Sequence, residues 1–395
     1  MILASPFAFR ERFGSASASS ASKESFARRK MASLRCLSSG NRRFFLSIQK
    51  TRSSPSQARE GIVPRPNFES GTIWTQDNLP VLCGIDSECI DLIYLDPPFN
   101  SKKDYAASAK SKAAGARFSD RWRLNAGEDE AGDSIQTMNP QLRRAIAAAQ
   151  RDSDKAYLLY MAPRLLEMHR ILKPTGSLWL HCDATMSHYL KIVMDAIFEK
   201  ERFRNEIVWC YTGPGSPAGR QFNRKHDCLL WYSKGDRWTF NKDAVRIPYK
   251  GGKPHVGGWG MNAEEAKSYG ERGKIPETWW ADIAVAIRSL KENIGYPTQK
   301  PLALLHRIIA GCSDEQDMVL DPFCGSATTC VAADLQNRRW AGIDISPISW
   351  EMINQRLGDR QSPSAPKRYH RLDIPERSDS PLDAFAATEK NGSGK

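Results

Sequence analysis

The chain has 395 residues, of which 41% are hydrophobic and 26% are charged, and its formal net charge is +12. This composition is typical of a folded globular protein, and no apolar run approaches the ~18 residues needed to cross a bilayer, so we expect no association with a membrane. The nine cysteines include no CxxC pair. Their spacing therefore argues against a disulfide framework and a metal site, and favours a reducing compartment.

Most of the excess positive charge lies in a leader formed by residues 1–60. This leader carries twelve Lys and Arg against three acidic residues, which is a net charge of +9 out of the total of +12. It is rich in Ser and has no sustained apolar period, so we expect it to be disordered. An organelle transit peptide and a misassigned start codon, with translation beginning at Met31 or later, explain it equally well. The charge alone is therefore weak evidence for a nucleic-acid partner of the folded part.

Strand-like and helix-like segments alternate over the rest of the chain, which predicts an α/β fold with a largely parallel sheet. Short apolar runs predict strands at 91–95, 177–181, 205–211, 228–232, 318–320 and 340–345. Apolar residues at helical spacing predict helices at 154–172, 184–200, 302–310 and 326–336, and a last helix that ends at Leu357. Residues 234–290 are Gly-rich and polar without a clear period, and the composition of residues 361–395 predicts a disordered tail.

The first segment that suggests chemistry is LDPPFN at residues 95–100, which follows the first predicted strand. Ligands of open α/β sheets lie at the carboxyl ends of the strands. At that place the Asp96 carboxylate and the Pro97 carbonyl can each accept one N–H of an exocyclic aromatic amine, and Phe99 offers a face on which a base can stack. The alternative is that Asp-Pro-Pro merely ends the strand as a turn. The candidate catalytic residues are Asp96, Pro97, Pro98 and Phe99.

The second such segment is LDPFCGSATT at residues 320–329, which combines a strand, a tight turn and the start of a helix. Gly325 allows the backbone to approach a ligand closely, and nucleotide-type ligands bind at such turns. About eighteen residues later the next predicted strand reaches Asp344. This spacing places a carboxylate on ribose hydroxyls in a βαβ unit. Alternatively, Asp344 caps the helix that follows it.

Together these segments resemble the amino-group DNA methyltransferases, which modify adenine N6 or cytosine N4 with S-adenosyl-L-methionine. LDPPFN is similar to their catalytic motif, DPFCGSATT to their cofactor loop, and GYPTQKPLALLHRII (295–309) to the segment that wraps the methionine end of the cofactor. The catalytic motif comes first, which is the order of the β group. The resemblance implies a doubly wound Rossmann-like methyltransferase sheet of about seven strands in a domain at 71–360.

Further site residues are implied by the resemblance, position by position. Asp77 matches the acid that reaches the cofactor's adenine, although Gln76 stands where the family usually has Gly. Residues 205–209 and 226–230 match the hairpin that flanks the target base. The cofactor-binding residues implied in this way are Asp77, Thr298, Lys300, Asp321, Phe323, Gly325, Ser326 and Asp344.

Two segments are candidates for DNA contact. The resemblance places a target-recognition insert at about 234–290. Its aromatic and basic residues are candidates for DNA contact, and the alternative for the tryptophans is that they form local core. These residues are Trp238, Trp259, Trp279, Trp280, Lys250, Lys253 and Arg272. The basic stretch 101–122 either contacts phosphates or is a solvated loop. Cys324, Cys330, His181 and His188 are interpreted as structural residues.

The sequence thus predicts an enzyme that methylates a base flipped out of double-stranded DNA. The first Asp of DPPF favours adenine, and cytosine N4 is the alternative. An RNA or protein methyltransferase, and a DNA-binding module without catalysis, are the alternatives from other classes. A homodimer and a separate restriction nuclease remain open as partners. We expect the protein in the cytoplasm, at the nucleoid, if it is bacterial, and in an organelle if the leader is a transit peptide.

Overall fold

The computed structural model of the protein describes residues 65–123, 139–213, 219–220, 222–250, 263–289, 292–358 and 367–379. Its strands are, in chain order, β1 (Thr72–Thr75), β2 (Ile90–Leu95), β3 (Asp104–Ala106), β4 (Arg117–Ser119), β5 (Leu172–Cys182), β6 (Phe203–Cys210), β7 (His226–Ser233), β8 (Trp279–Trp280), β9 (Met318–Asp321), β10 (Arg339–Asp344) and β11 (Tyr369–Arg371). Its α-helices are α1 (Asn78–Gly84), α2 (Pro140–Ala147), α3 (Asp152–Ile171), α4 (Ser187–Phe198), α5 (Ala263–Arg272), α6 (Leu302–Cys312), α7 (Thr328–Asp334) and α8 (Ile348–Leu357).

Nine strands form one sheet in the order β11-β1-β10-β9-β2-β5-β7-β6-β8, and β3 and β4 form a separate hairpin. All neighbours from β11 to β5 are parallel, whereas β7 is antiparallel to both β5 and β6. The predicted doubly wound α/β sheet is confirmed, with nine strands instead of about seven. The edge strands β8 and β11 account for the difference, because segments of two and three residues are too short to show a periodic pattern.

The central strands are buried on both faces, as expected for a parallel sheet covered by helices. Successive residues of β2 point to opposite sides: Ile93 and Leu95 belong to one hydrophobic cluster, and Leu92 and Tyr94 to another. The first cluster includes apolar residues of α1, α2, α3 and α4, and the second includes those of α6, α7 and α8. Burial on both sides explains why these strands read as short continuous apolar runs.

The predicted elements are present, with shifted ends. α3 ends at Ile171, close to the predicted end at 172, whereas β5 begins at Leu172, five residues before the predicted strand at 177–181. The pairing of β5 with β2 is irregular there, and Lys173 is held by an ion pair with Asp91. α4 begins only at Ser187, because the Asp183 carboxylate accepts two backbone N–H groups and holds a turn before the helix.

The predicted disordered tail, 361–395, is wrong for residues 367–379. β11 pairs with β1, and the imidazole of His370 stacks on Trp350 at 5.1 Å between ring centroids. The Asn67 side-chain amide also donates to the Glu376 carbonyl. Such a strand of three residues is specified by the edge it joins and not by its own pattern. The leader and the rest of the tail lie outside the described residues. Among the residues that the structure describes, no helix is long and apolar enough to cross a membrane.

Candidate active site

The sheet changes direction between β2 and β9, and this point defines the site. From β2 the chain continues to β5 on one side, whereas from β9 it continues in the opposite direction to β10 and then to β11, on the far side of β1. Such a switch leaves a crevice at the carboxyl ends of the strands. A cavity of about 180 Å³ opens there. It is lined by all twelve predicted site residues, Asp77, Asp96, Pro97, Pro98, Phe99, Thr298, Lys300, Asp321, Phe323, Gly325, Ser326 and Asp344.

Asp96 stands directly after β2 at the mouth of this crevice. Its Oδ2 lies 2.5 Å from the Lys300 ammonium, and both side chains are largely buried. Its Oδ1 is also buried, and it has no hydrogen-bond partner among the described residues. The sequence implied that Lys300 serves the cofactor, whereas its Nζ contacts the catalytic segment. One oxygen of Asp96 is therefore fixed, and the other is a buried acceptor without a partner among the described residues, on a residue that lines the cavity.

The ring of Phe99 packs against a histidine that belongs to a buried polar network. Its ring stacks on His181 at 5.8 Å between centroids, with 25° between the planes. The imidazole of His181 contacts the hydroxyl of Tyr94 at 2.7 Å and the carboxylate of Asp227 at 3.0 Å, and Tyr211 donates to the same carboxylate. Burial raises the pKa of Asp227. The hydrogen bonds from His181 and Tyr211 lower it by a larger amount, so the pKa of Asp227 lies below its usual value. The sequence alone suggested only a structural role for His181. The structure shows that its ring packs against Phe99 and that Tyr94 and Asp227 hold this ring in place.

The turn after β9 brings backbone groups close to the cavity. Gly325 has a φ of +47°, and a Cβ at this position would lie 3.2 Å from the hydroxyl oxygen of Tyr296. The N–H of Gly325 donates to one oxygen of Asp344 and the N–H of Ser346 to the other, both at 2.8 Å. Asp344 therefore holds the turn as well as the start of the following loop. Its burial raises its pKa, although these two hydrogen bonds lower it.

Asp321, the last residue of β9, is a second carboxylate on the cavity wall. Its side chain accepts hydrogen bonds from the Thr329 hydroxyl and the Phe323 N–H. Burial raises its pKa to about 7 in spite of these donors, and the nearby carboxylates of Asp96 and Asp344 add to the increase. A cationic group next to Asp321 would stabilise its ionised carboxylate.

Asp77 lies at the far side of the cavity, next to the end of β1. Its carboxylate caps α1 by accepting the N–H of Leu79 and pairs with the buried guanidinium of Arg164 at 2.9 Å. Arg164 in turn lies 3.5 Å from the centroid of the Tyr160 ring. Because these contacts leave about half of the Asp77 side chain exposed, it can still accept a bond from a ligand.

The predicted DNA-contact residues fall into three groups. Trp280 is 5% exposed and packs against Trp179, so it belongs to the core. Trp279 is 59% exposed, and Trp238 lies over the guanidinium of Arg204. Lys250 and Arg272 are exposed, and Trp259 and Lys253 lie outside the described residues. The basic stretch 101–122 folds as the β3–β4 hairpin, and Arg117 on it lines the cavity.

The cysteines of the cofactor loop, Cys324 and Cys330, are buried. Burial raises the pKa of the Cys324 and Cys330 thiols well above the usual value, which keeps them protonated. No group of three or more His, Cys, Asp or Glu in the described ranges could hold a metal ion.

Sequence reasoning missed Ile345, which is 74% exposed at the cavity wall. Its position directly after Asp344 was the available signal.

The fold and this site define a doubly wound α/β enzyme with a nucleotide-type cavity at its switch point. The model of the N6/N4 DNA methylase family, described as DNA methylase, matches residues 90–355. The chain therefore belongs to this family, and S-adenosyl-L-methionine is its cofactor.

Among curated proteins, the chain is 27% identical over 301 residues to DNA adenine methyltransferase YhdJ of Escherichia coli, covering 76% of this chain and 87% of that protein. It is 28% identical over 280 residues to the type II methyltransferase M.HpaI of Haemophilus parainfluenzae, covering 71% of each. Among solved structures, the PvuII cytosine-N4-specific DNA methyltransferase aligns at 16% identity with a TM-score of 0.46, over 75% of this chain and 90% of that one.

Proposed function

We propose that this protein, a DNA methyltransferase by family, transfers the methyl group to N6 of an adenine flipped out of duplex DNA. The observation that carries the proposal is the buried Oδ1 of Asp96, which has no hydrogen-bond partner among the described residues and belongs to a cavity wall that Phe99 also lines. An acceptor without a partner is costly inside a protein unless a ligand supplies the donor. The first Asp of the motif and the name of the relative YhdJ favour adenine; cytosine N4 is the second candidate.

The residues on the cavity wall fit S-adenosyl-L-methionine by their chemistry. In our assignment Asp344 accepts the ribose hydroxyls, Asp77 accepts from the adenine amine, and Asp321 pairs with the ammonium of the methionine part. Phe323 and the exposed Ile345 give the adenine ring apolar contacts. The backbone around Gly325 approaches closely because no side chain stands there. When bound, the cofactor supplies an activated methyl group on a sulfonium.

The chain's own residues orient the accepting amine. Asp96 Oδ1 and the Pro97 carbonyl each accept one N–H, which directs the nitrogen lone pair out of the base plane. The nitrogen gains positive charge as its bond to the methyl carbon forms and the bond between that carbon and sulfur breaks, so the interaction with the carboxylate strengthens in the transition state and lowers the barrier. The methylated nitrogen then releases one of its protons. Lys300 holds Oδ2 and so keeps Oδ1 turned toward the amine. Phe99 stacks on the base, which must leave the duplex to reach this depth.

Mapping modified bases in living cells tests the proposal. DNA from cells that express the wild-type protein should contain N6-methyladenine at a defined sequence context, and DNA from cells that express Asp96→Ala at the same level should not. N4-methylcytosine in place of N6-methyladenine would favour the second candidate. Unmodified DNA in both cultures, with the protein folded and cofactor-bound, would contradict the function. Because the relatives named above come from bacteria, we place the reaction in a bacterial cytoplasm.

A further inference from the structure

Asp120 is a buried carboxylate on the wall of the same cavity, and its oxygens bind N–H groups of the chain itself. It follows β4, is 1% exposed, and accepts four N–H groups. Oδ2 accepts the backbone N–H groups of Phe99 and Ser101 at 3.1 and 2.7 Å. Oδ1 accepts the backbone N–H of Asn100 at 2.7 Å and the indole N–H of Trp122 at 3.0 Å. Three consecutive amides of the catalytic segment thus converge on one side chain.

The backbone of this segment needs such a partner. Asn100 and Lys102 have φ values of +58° and +63°, in the left-handed region that side chains with a Cβ disfavour. A turn of this kind directs successive N–H groups toward one point, where they form a concavity that binds an anion. Here the anion is the chain's own carboxylate. Without it, one buried and two partly buried N–H groups would lose their acceptor, and the turn would lose the contacts that offset its backbone strain.

Asp120 also connects the catalytic segment to the basic hairpin. Its carbonyl accepts the N–H of Lys102, and its N–H donates to the carbonyl of Lys103, at 2.9 and 2.8 Å. The exposed cations Lys102, Lys103 and Arg117 therefore stand on the same short unit as Phe99. The carboxylate of Asp96, in contrast, is held by Lys300 from the segment before α6, a contact to which Asp120 does not contribute.

We propose that Asp120 is the positioning residue of the catalytic loop: its carboxylate fixes the backbone of residues 99–101 and thereby sets the Phe99 ring against the flipped base. This inference rests on the proposed function, because it gives Phe99 the task of base capture. It predicts that Asp120 acts through Phe99 and not through the cofactor or the Asp96 carboxylate.

The first test reads the loop directly, without activity. Amide hydrogen exchange in Asp120→Asn should be at least about tenfold faster in the peptide that covers residues 97–103, and unchanged in the peptide that covers residues 321–329. Asp104→Asn is the matched control, because this exposed carboxylate lies on the same hairpin and pairs with Arg121 without touching the loop. Exchange in the loop that stays at the wild-type rate in Asp120→Asn would overturn the proposal, whatever the enzyme methylates.

The second test asks whether Asp120 acts through Phe99. In methyl transfer to duplex DNA, Asp120→Asn should lower kcat/KM by about tenfold or more, and the double variant Asp120→Asn, Phe99→Ala should fall within about threefold of Phe99→Ala alone. Affinity for S-adenosyl-L-methionine should stay within about threefold in all variants. Losses that multiply in the double variant would overturn the proposal, since they would show that the two residues act independently.

Two possible results of these tests require a further comparison. If Asp120→Asn does not fold, Asp120→Glu replaces it as the test variant, because it keeps the negative charge but moves it by one methylene. Amide hydrogens of residues 97–103 in Asp120→Glu should exchange faster than in the wild type. A wild-type exchange rate together with a wild-type kcat/KM would overturn the proposal. If the wild-type protein labels no DNA at all, the proposed function fails, and the exchange experiment still decides whether Asp120 holds the loop.

Discussion

Replacing Lys300 with Met should separate its effect on stability from its effect on catalysis. Nζ of Lys300 lies 2.5 Å from Asp96 Oδ2, and the two side chains are 9% and 18% exposed. Breaking a fully buried pair costs about 3–5 kcal/mol, because the remaining charge loses its partner. Since the cavity admits water to Asp96, we expect a smaller loss, about 2–3 kcal/mol in the free energy of unfolding. The released carboxylate should also lose its orientation, and kcat should fall by about 10–100-fold.

A second buried pair, whose carboxylate lies on β2, provides the control. Lys173 pairs with Asp91 near the start of β2 at 2.7 Å, and these side chains are 13% and 11% exposed. Lys173→Met should therefore destabilise the protein to a similar extent and leave kcat within about twofold. Denaturant unfolding and single-turnover methyl transfer measure the two effects. Equal losses of kcat in both variants, or an unchanged kcat in Lys300→Met, would refute the assignment of Lys300 to Asp96.

Three further predictions concern the cofactor and the leader. Asp344→Ala should weaken S-adenosyl-L-methionine binding by about 1–3 kcal/mol, the scale of a charge-assisted hydrogen bond; unchanged affinity in calorimetry would remove the ribose assignment. Burial raises the pKa of Asp321 to about 7, so below that pH the free site holds a neutral acid, and ammonium binding must release its proton. Cofactor affinity should thus increase with increasing pH, by up to about tenfold per pH unit below pH 7, and level off above pH 7. A flat profile from pH 5.5 to 8.5 would argue against the pairing of Asp321 with the ammonium. Deleting residues 1–60 should leave folding and methyl transfer intact and reduce the salt dependence of non-specific DNA binding; loss of folding would show that the leader belongs to the domain.

The parts of the site that sequence could predict are those that follow from strand order. Asp96, Asp321 and Asp344 each stand at or directly after the carboxyl end of a strand. In a parallel sheet these ends share one edge, so residues far apart in the chain become neighbours without any further information. Gly325 was also predictable, because the turn between β9 and α7 requires a close backbone approach.

The rest depends on side chains that meet across long stretches of chain. Lys300 and Asp96 are 204 positions apart, and no local pattern distinguishes a lysine that reaches the cofactor from one that reaches a carboxylate. Asp120 lies in a hairpin whose polar sequence resembles a solvated loop, and only the fold brings it under three backbone amides. His181 is similar: its partners come from β2 and β7, and its contact with Phe99 follows from sheet order alone.

The most direct test of the central claim, that Asp96 orients the amine of a base for methylation, is transfer of labelled methyl from S-adenosyl-L-methionine to duplex DNA, followed by digestion to nucleosides. We predict label in N6-methyladenine with the wild-type protein. With Asp96→Ala we predict a rate lower by about two orders of magnitude or more, while cofactor affinity stays within a few-fold. Labelling at the wild-type rate by Asp96→Ala, or label that enters RNA or protein and never DNA, would contradict the account.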